Sequence, residues 1–226
     1  MPTPRSSQGA RLGPATAMEY LVTMTTHVPD GTPDEAVDDI RRREAARSRE
    51  LAAQGHLLRL WRPPLQPGEW RSLGLFAAAG DSELEKVLAS MPLRVWRTDE
   101  VTPLSPHPND PAPHNARPGS RAADAGPAGR EFLITFTVTI PDGTPAQTAS
   151  DTEAREADRA RELAGQGHLR RLWLLPRGSG DGDALGLWRA RDAAEMQAIV
   201  ESLPLYDWMT VQTAPLTQHP SDPARW

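Results

Sequence analysis

The chain repeats itself. Displaced by 112 residues, the sequence overlays its own second half without a gap, and 43 of the 93 pairs between 19–111 and 131–223 are identical. Unrelated chains of ordinary composition would match at roughly one position in fifteen to twenty. VPDGTP (28–33) meets IPDGTP (140–145), REAARSRELAAQGHLLRLW (43–61) meets READRARELAGQGHLRRLW (155–173), and TPLSPHPNDP (102–111) meets APLTQHPSDP (214–223). Whatever this chain folds into must therefore be built from one small-domain unit used twice. The expected organisation is a disordered tail over 1–17, a first repeat over 18–111, a flexible linker over 112–130 and a second repeat over 131–223. Tail and linker are rich in Pro, Gly, Ala and Arg and carry no apolar periodicity, which suits solvated chain. Met18 opens the first strand-like run and is a second candidate, beside Met1, for the start of translation.

Within a repeat the periods are readable. Residues 20–28 alternate, with Tyr20, Val22, Met24 and Thr26 on one side, and the second copy repeats this with Phe132, Ile134, Phe136 and Val138. Period two with β-branched and aromatic side chains predicts a strand. Pro29-Asp30-Gly31 breaks it, Thr32 is a candidate N-cap and Pro33 suits a first helical position. A helix over about 33–53 then ends at Gln54-Gly55. Strands are expected over 56–62, 70–77 and 94–102, with a short helix from Asp81 or Ser82 to about Ser90. The order β-α-β-β-α-β is the ferredoxin-like split βαβ arrangement, an α+β fold with helices on one face of an antiparallel sheet. Two such units can cover each other's bare sheet faces, giving an intrachain pseudo-dimer like a dimeric α/β barrel. A ligand pocket is expected between the sheets or between sheet and helix.

Composition excludes several classes. The chain has no Cys, so disulfides, Cys-bearing zinc sites, iron–sulfur clusters and a thiol nucleophile are out. A net charge of −5 argues against a nucleic-acid partner. No run of 18 apolar residues is present and the N-terminus lacks an apolar h-region, so no membrane partner is expected and a cytoplasmic location is. GxSxG, P-loop and GxGxxG patterns are missing, and His107 and His219, in the two HPxDP tails, have no metal-ligand pattern around them, so no metal is expected.

Some polar residues stand where apolar ones are expected. Glu44 lies on the stripe Val37, Ile40, Leu51 of the long helix, and Glu156 occupies the same place in the second copy. A carboxylate turned toward a core has its charged form disfavoured, which suits a general base. The alternative is pairing with Arg43, Arg47 or Arg59 at a solvated edge. Leu57, Arg59 and Trp61 are expected on one strand face, as are Leu169, Arg171 and Trp173. An Arg between Leu and Trp is costly unless it meets an anion, either Glu44 or a substrate carboxylate. The alternative is an Arg packed on Trp with its head in water. Arg62 is a second anion ligand by type, but Leu174 replaces it in the other copy. His56 and His168 follow the helix-ending Gly and either bond the last helix carbonyls or act as acid–base groups.

The run EYLVTM, the REAxRxRELAxQG helix, HLxRLW, a PLxxW segment and the PLxxHPxDP tail, in that order in both repeats, resemble the muconolactone Δ-isomerases. The resemblance implies a ferredoxin-like fold, subunits that pair and build ring-shaped homo-oligomers, and a cofactor-free isomerase acting on a small-molecule substrate. The family reaction shifts a double bond, muconolactone to 3-oxoadipate enol-lactone, in aromatic catabolism. By position, Glu44 and Glu156 would shuttle the proton, Arg59 and Arg171 would hold the anion, and Trp61 and Trp173 would wall the pocket, with His56, His168 and Arg62 also contacting substrate. The fusion, Leu174, and the unlike loops 63–71 and 175–183 mark a specialised member with one half active and the other supporting. Other readings are an isomerase or cyclase of a polyketide-like secondary pathway, a non-catalytic small-molecule-binding or assembly protein, and a cofactor-free oxygenase.

Overall fold

A computed structural model describes residues 17–112, 129–178 and 182–225. The expected tail and linker lie, apart from their edges, outside the described residues. At the linker's far edge Arg130 already belongs to a strand.

Each repeat is β-α-β-β-α-β. The first has β1 (Met18–Thr26), α1 (Asp34–Ala53), β2 (Leu57–Arg62), β3 (Arg71–Ala78), α2 (Asp81–Ala89) and β4 (Arg97–Pro106). The second has β5 (Arg130–Val138), α3 (Ala146–Gly165), β6 (Leu169–Leu174), β7 (Ala184–Ala190), α4 (Ala193–Glu201) and β8 (Met209–Gln218). β1 shows the expected alternation, with Tyr20, Val22, Met24 and Thr26 buried. α1 and α3 end at Gly55 and Gly167, whose φ of +82° and +80° suits a residue without Cβ.

The two four-stranded sheets close into one barrel, in the order β1-β3-β2-β8-β5-β7-β6-β4. Only short seams join them: Trp61 and Arg62 of β2 lie opposite Gln218 and Thr217 of β8, and Ser105 and Pro106 of β4 lie opposite Leu174 and Trp173 of β6. Closure removes the open edges that a lone repeat would expose. The barrel interior is filled by strand residues of both repeats, among them Leu58, Trp61, Leu75 and Leu104 against Leu133, Trp173, Leu187 and Leu216. Separate cores pack the helices on the outer sheet faces, around Tyr20, Leu51, Phe76 and Leu88 in one repeat and Phe132, Leu163, Trp188 and Val200 in the other. The space between the sheets is thus packed, and the room for a ligand lies between sheet and helix.

Three local expectations are corrected. Thr32 does not cap α1: its hydroxyl donates to the Pro29 carbonyl at 2.6 Å, and Pro33 holds the N-cap position without a side-chain bond. The last strand begins at Arg97, because Pro92–Trp96 wind into a 3₁₀ turn. The pairing of β2 with β3 shifts register between Leu57 and Arg59. That bulge puts Leu57 in the helix-side core while Leu58 and Trp61 face the barrel interior, so Leu57, Arg59 and Trp61 do not share a face.

Candidate active site

Arg59 and Arg171 are where each repeat grips the other. The Arg59 guanidinium donates two parallel bonds to Glu131, at the start of β5, from Nη1 to Oε1 at 2.9 Å and from Nη2 to Oε2 at 2.7 Å. Its Nε and Nη2 also donate to Asp222, in the HPSDP tail, at 3.1 and 3.0 Å. Trp61 Nε1 donates to the same Glu131 at 2.7 Å, and the guanidinium stacks 4.8 Å from the Trp61 ring. Arg171 repeats the arrangement with Glu19, Asp110 and Trp173. Burial alone would disfavour the charge on Arg59, but Glu131 and Asp222 outweigh it and raise its pKa. Burial likewise pushes Glu131 up, and the Arg59 bonds more than reverse this, holding it below the usual carboxylate range.

The Asp of each HPxDP tail also accepts a backbone N–H, Asp222 from Leu60 at 3.1 Å and Asp110 from Leu172 at 3.0 Å. Each tail therefore crosses to the other repeat. The expectation that Arg59 and Arg171 hold a substrate anion and that Trp61 and Trp173 wall a pocket gives way to this geometry. The guanidiniums are engaged by carboxylates, and both indoles are about 1% exposed inside the barrel. The His56 and His168 rings bond the carbonyls of Ala77 and Arg189 at 3.0 and 2.9 Å, and their backbone N–H groups, not the rings, take the helix-end carbonyls of Leu51 and Leu163.

Glu44 and Arg62, in contrast, line one cavity of about 710 Å³ between α1 and the outer sheet face of the first repeat. Met24, Leu60, Met91 and Leu93 supply apolar wall, and Arg41, Arg62, Arg71 and Arg97 bring four cations to it. Trp70, on the loop before β3, stacks with Arg41 at 4.5 Å. His219, Pro220 and Ser221 of the second repeat's tail complete the lining. The Arg62 guanidinium makes no ion pair or side-chain hydrogen bond among the described residues.

The Glu44 side chain is 13% exposed. It pairs with none of Arg43, Arg47 and Arg59. Its Oε2 accepts the Leu93 N–H at 2.8 Å, at the 3₁₀ turn, and its Oε1 accepts from Arg97 Nη1 at 3.1 Å. Arg97 is itself buried and pairs with Asp99. Burial raises the Glu44 pKa, Leu93 N–H and Arg97 pull the other way, and the net shift is upward.

The second repeat keeps the carboxylate and drops the cations. Glu156 Oε2 accepts the Leu205 N–H at 3.0 Å, and burial raises its pKa with only that bond opposing. At the 112-residue offset Arg41, Arg62, Arg71 and Arg97 become Glu153, Leu174, Asp183 and Met209. Met209 and Val211, the counterpart of Asp99, pack against a core containing Phe136, Ala160 and Leu203. Sequence reasoning missed Arg97, Arg71 and Trp70 because it favoured residues present in both copies. Among the described residues no group of three His, Asp or Glu could hold a metal, and no helix is long and apolar enough to cross a membrane.

The architecture defines a class: two ferredoxin-like repeats closed into one α+β barrel, with a charged pocket under a helix. Solved structures of this shape include a heme-binding protein from Thermus thermophilus (TM-score 0.56, 13% identity, 93% of this chain and 96% of that one) and a chlorite dismutase variant from Candidatus Nitrospira defluvii (TM-score 0.55, 11% identity, 92% of each). At such identity they show the fold alone.

The family model for muconolactone delta-isomerase matches 18–110 and again 130–222, so the chain belongs to that family as a tandem two-repeat member. Muconolactone Delta-isomerase 1 of Acinetobacter lwoffii is 35% identical over 92 residues, 41% of this chain and 93% of the relative. The muconolactone Delta-isomerase of Cupriavidus pinatubonensis is 34% identical over 92 residues, 41% of this chain and 97% of the relative.

Proposed function

We propose that the chain is an isomerase that moves a double bond in a small, anionic, enolisable carbonyl compound of the muconolactone type, and that the first repeat does the chemistry. The observation that carries this reading is Glu44: a desolvated carboxylate opening on a cavity with four arginines. The ionised Glu44 takes the proton at the γ (allylic) carbon, the electron pair passes through the double bond to the carbonyl oxygen as a dienolate, and Glu44 returns the proton at the α carbon. Arg62 holds the substrate carboxylate, since its guanidinium makes no bond among the described residues, and Arg97 aims Glu44. The anion-holding role thus moves from Arg59 and Arg171 to cations that line the cavity. The second repeat, which has no cation at the positions matching the cavity's four arginines, is the supporting half.

The test is to incubate the protein with muconolactone in D₂O and follow deuterium uptake and the double-bond shift by NMR. Both should occur above the buffer rate; neither occurring would overturn the reading.

A pH dependence follows from Glu44. Because its folded pKa lies above the ordinary Glu value, the acid limb of kcat/KM should fall at a higher pH than for an unperturbed carboxylate. The same shift has a stability sign. A raised folded pKa means the folded state binds the proton better, so this contribution is present at low pH and is lost as pH rises through the folded pKa. The Glu44→Gln chain lacks that loss, so its melting temperature relative to the wild type should increase with pH across this range. A constant difference would contradict the assignment.

A further inference from the structure

The first-repeat cavity is not made by the first repeat alone. His219, Pro220 and Ser221, delivered by the second repeat's tail, also line it. That tail is fixed at three points around the ring. The His219 N–H donates to the Leu60 carbonyl at 3.0 Å, Asp222 is held by Arg59 and the Leu60 N–H, and the Ser221 N–H donates to His219 Nδ1 at 3.1 Å. The last bond sets the tautomer. A nitrogen that accepts an N–H carries no hydrogen, so the hydrogen of the neutral ring sits on Nε2.

We propose that His219 is a catalytic residue of the first-repeat site, its Nε2–H donating a hydrogen bond to the substrate carbonyl oxygen on which the dienolate charge grows when Glu44 removes the γ-proton. This rests on the isomerase reading and adds to it a residue supplied in trans by the other repeat. No proton leaves the imidazole. The C–H bond breaks toward Glu44, its electron pair becomes the enolate, and the negative charge grows on an oxygen that already faces an N–H donor. Returning the proton from Glu44 at the α carbon restores the carbonyl and both side chains.

A neutral imidazole is the suitable donor here. Burial, then Arg62 on β2 and Arg225 beyond the tail, lower the His219 pKa to about 4, so the ring stays uncharged where Glu44 is ionised. Glu44 and Glu69 are the carboxylates that share the cavity. The first repeat's tail places His107 against the second repeat in the same way, with its N–H on Leu172 O and its Nδ1 accepting from the Asn109 N–H. There Leu174 stands in place of Arg62, so that copy lacks the anion ligand beside it.

The test uses the full chain with muconolactone in D₂O. In His219→Asn the side-chain oxygen can still accept the Ser221 N–H, as Asn does in turns, while the donor at the Nε2 position is lost. It should lower the exchange kcat about 10²-fold, the usual scale for removing one such donor, with little change in KM or melting temperature. His219→Gln, whose amide reaches the Nε2 position, should recover much of that loss. ¹⁵N spectra of the histidine-labelled wild type should show His219 neutral with its hydrogen on Nε2. An unimpaired His219→Asn, or a hydrogen on Nδ1, overturns this proposal alone. A wild type that exchanges nothing overturns the isomerase reading and this proposal with it.

Discussion

Replacing Glu44 with Gln is expected to lower kcat for double-bond transposition by about 10²- to 10⁴-fold, the usual contribution of a positioned general base. Replacing Glu156 with Gln is expected to leave it within a few-fold of wild type. The two carboxylates sit at the same place in the fold and both accept a backbone N–H, from Leu93 and from Leu205. They differ in what surrounds them. Glu44 has Arg97 at 3.1 Å and shares its cavity with Arg62 and Arg71, whereas the second repeat carries Met209, Leu174 and Asp183 at the matching positions. A base can work only on a bound substrate, and the positions matching Arg41, Arg62, Arg71 and Arg97 offer an anionic substrate no cation in the second repeat. Steady-state rates for the two single variants and the double variant check this. Equal losses in both singles would mean that both halves are active, and full activity in the double would remove both carboxylates from the mechanism.

Arg59→Met should be the most destabilising single change of a charged residue in the chain. It leaves Asp222, 0% exposed, without its cation, and leaves Glu131, 5% exposed, only the more distant Arg189 at 3.7 Å. Breaking a buried ion pair from one side typically costs about 3–5 kcal/mol. For a chain of this size each kcal/mol moves the melting temperature by roughly 2–4 °C, so a drop of about 6–20 °C is expected. Arg171→Met should cost less, because its partner Glu19 is 16% exposed and water can take part of the role. Below its melting point the Arg171→Met chain should keep wild-type turnover, since Arg171 ties the repeats together and is not in the lining of the Glu44 cavity. Thermal melts and rates on the two variants decide it: loss of turnover without loss of stability would return Arg171 to the site.

Much of the fold was legible because its signals are local. The period of β1, the Gly55 and Gly167 stops and the order of elements all lie within a few residues of what they specify, and the duplication supplied each of them twice. The misses have physical reasons. Pro92 reads as a helix stop followed by a strand, while the chain inserts a 3₁₀ turn that brings the Leu93 N–H to Glu44. One bulged residue in β2 reverses side-chain parity, which no period-two count can detect.

The site was half legible. Glu44 stood out as a carboxylate on an apolar stripe, and Arg59 as an arginine between apolar neighbours. The anion that Arg59 needed exists, but it is Glu131 and Asp222, 72 and 163 residues away in the other repeat, and nothing local points there. Arg97 escaped for the opposite reason. Comparing the copies favours what both retain, and the residues that separate a charged pocket from an apolar one occur in only one.

The central claim is that a fold written twice carries one competent site. Its most direct test is a calorimetric titration of the Glu44→Gln chain, in which turnover is suppressed, with muconolactone. The account predicts saturation at one ligand per chain, and loss of that binding when Arg62 is also changed to Leu, the residue of the second repeat. Saturation at two ligands per chain, or binding indifferent to Arg62, would contradict it.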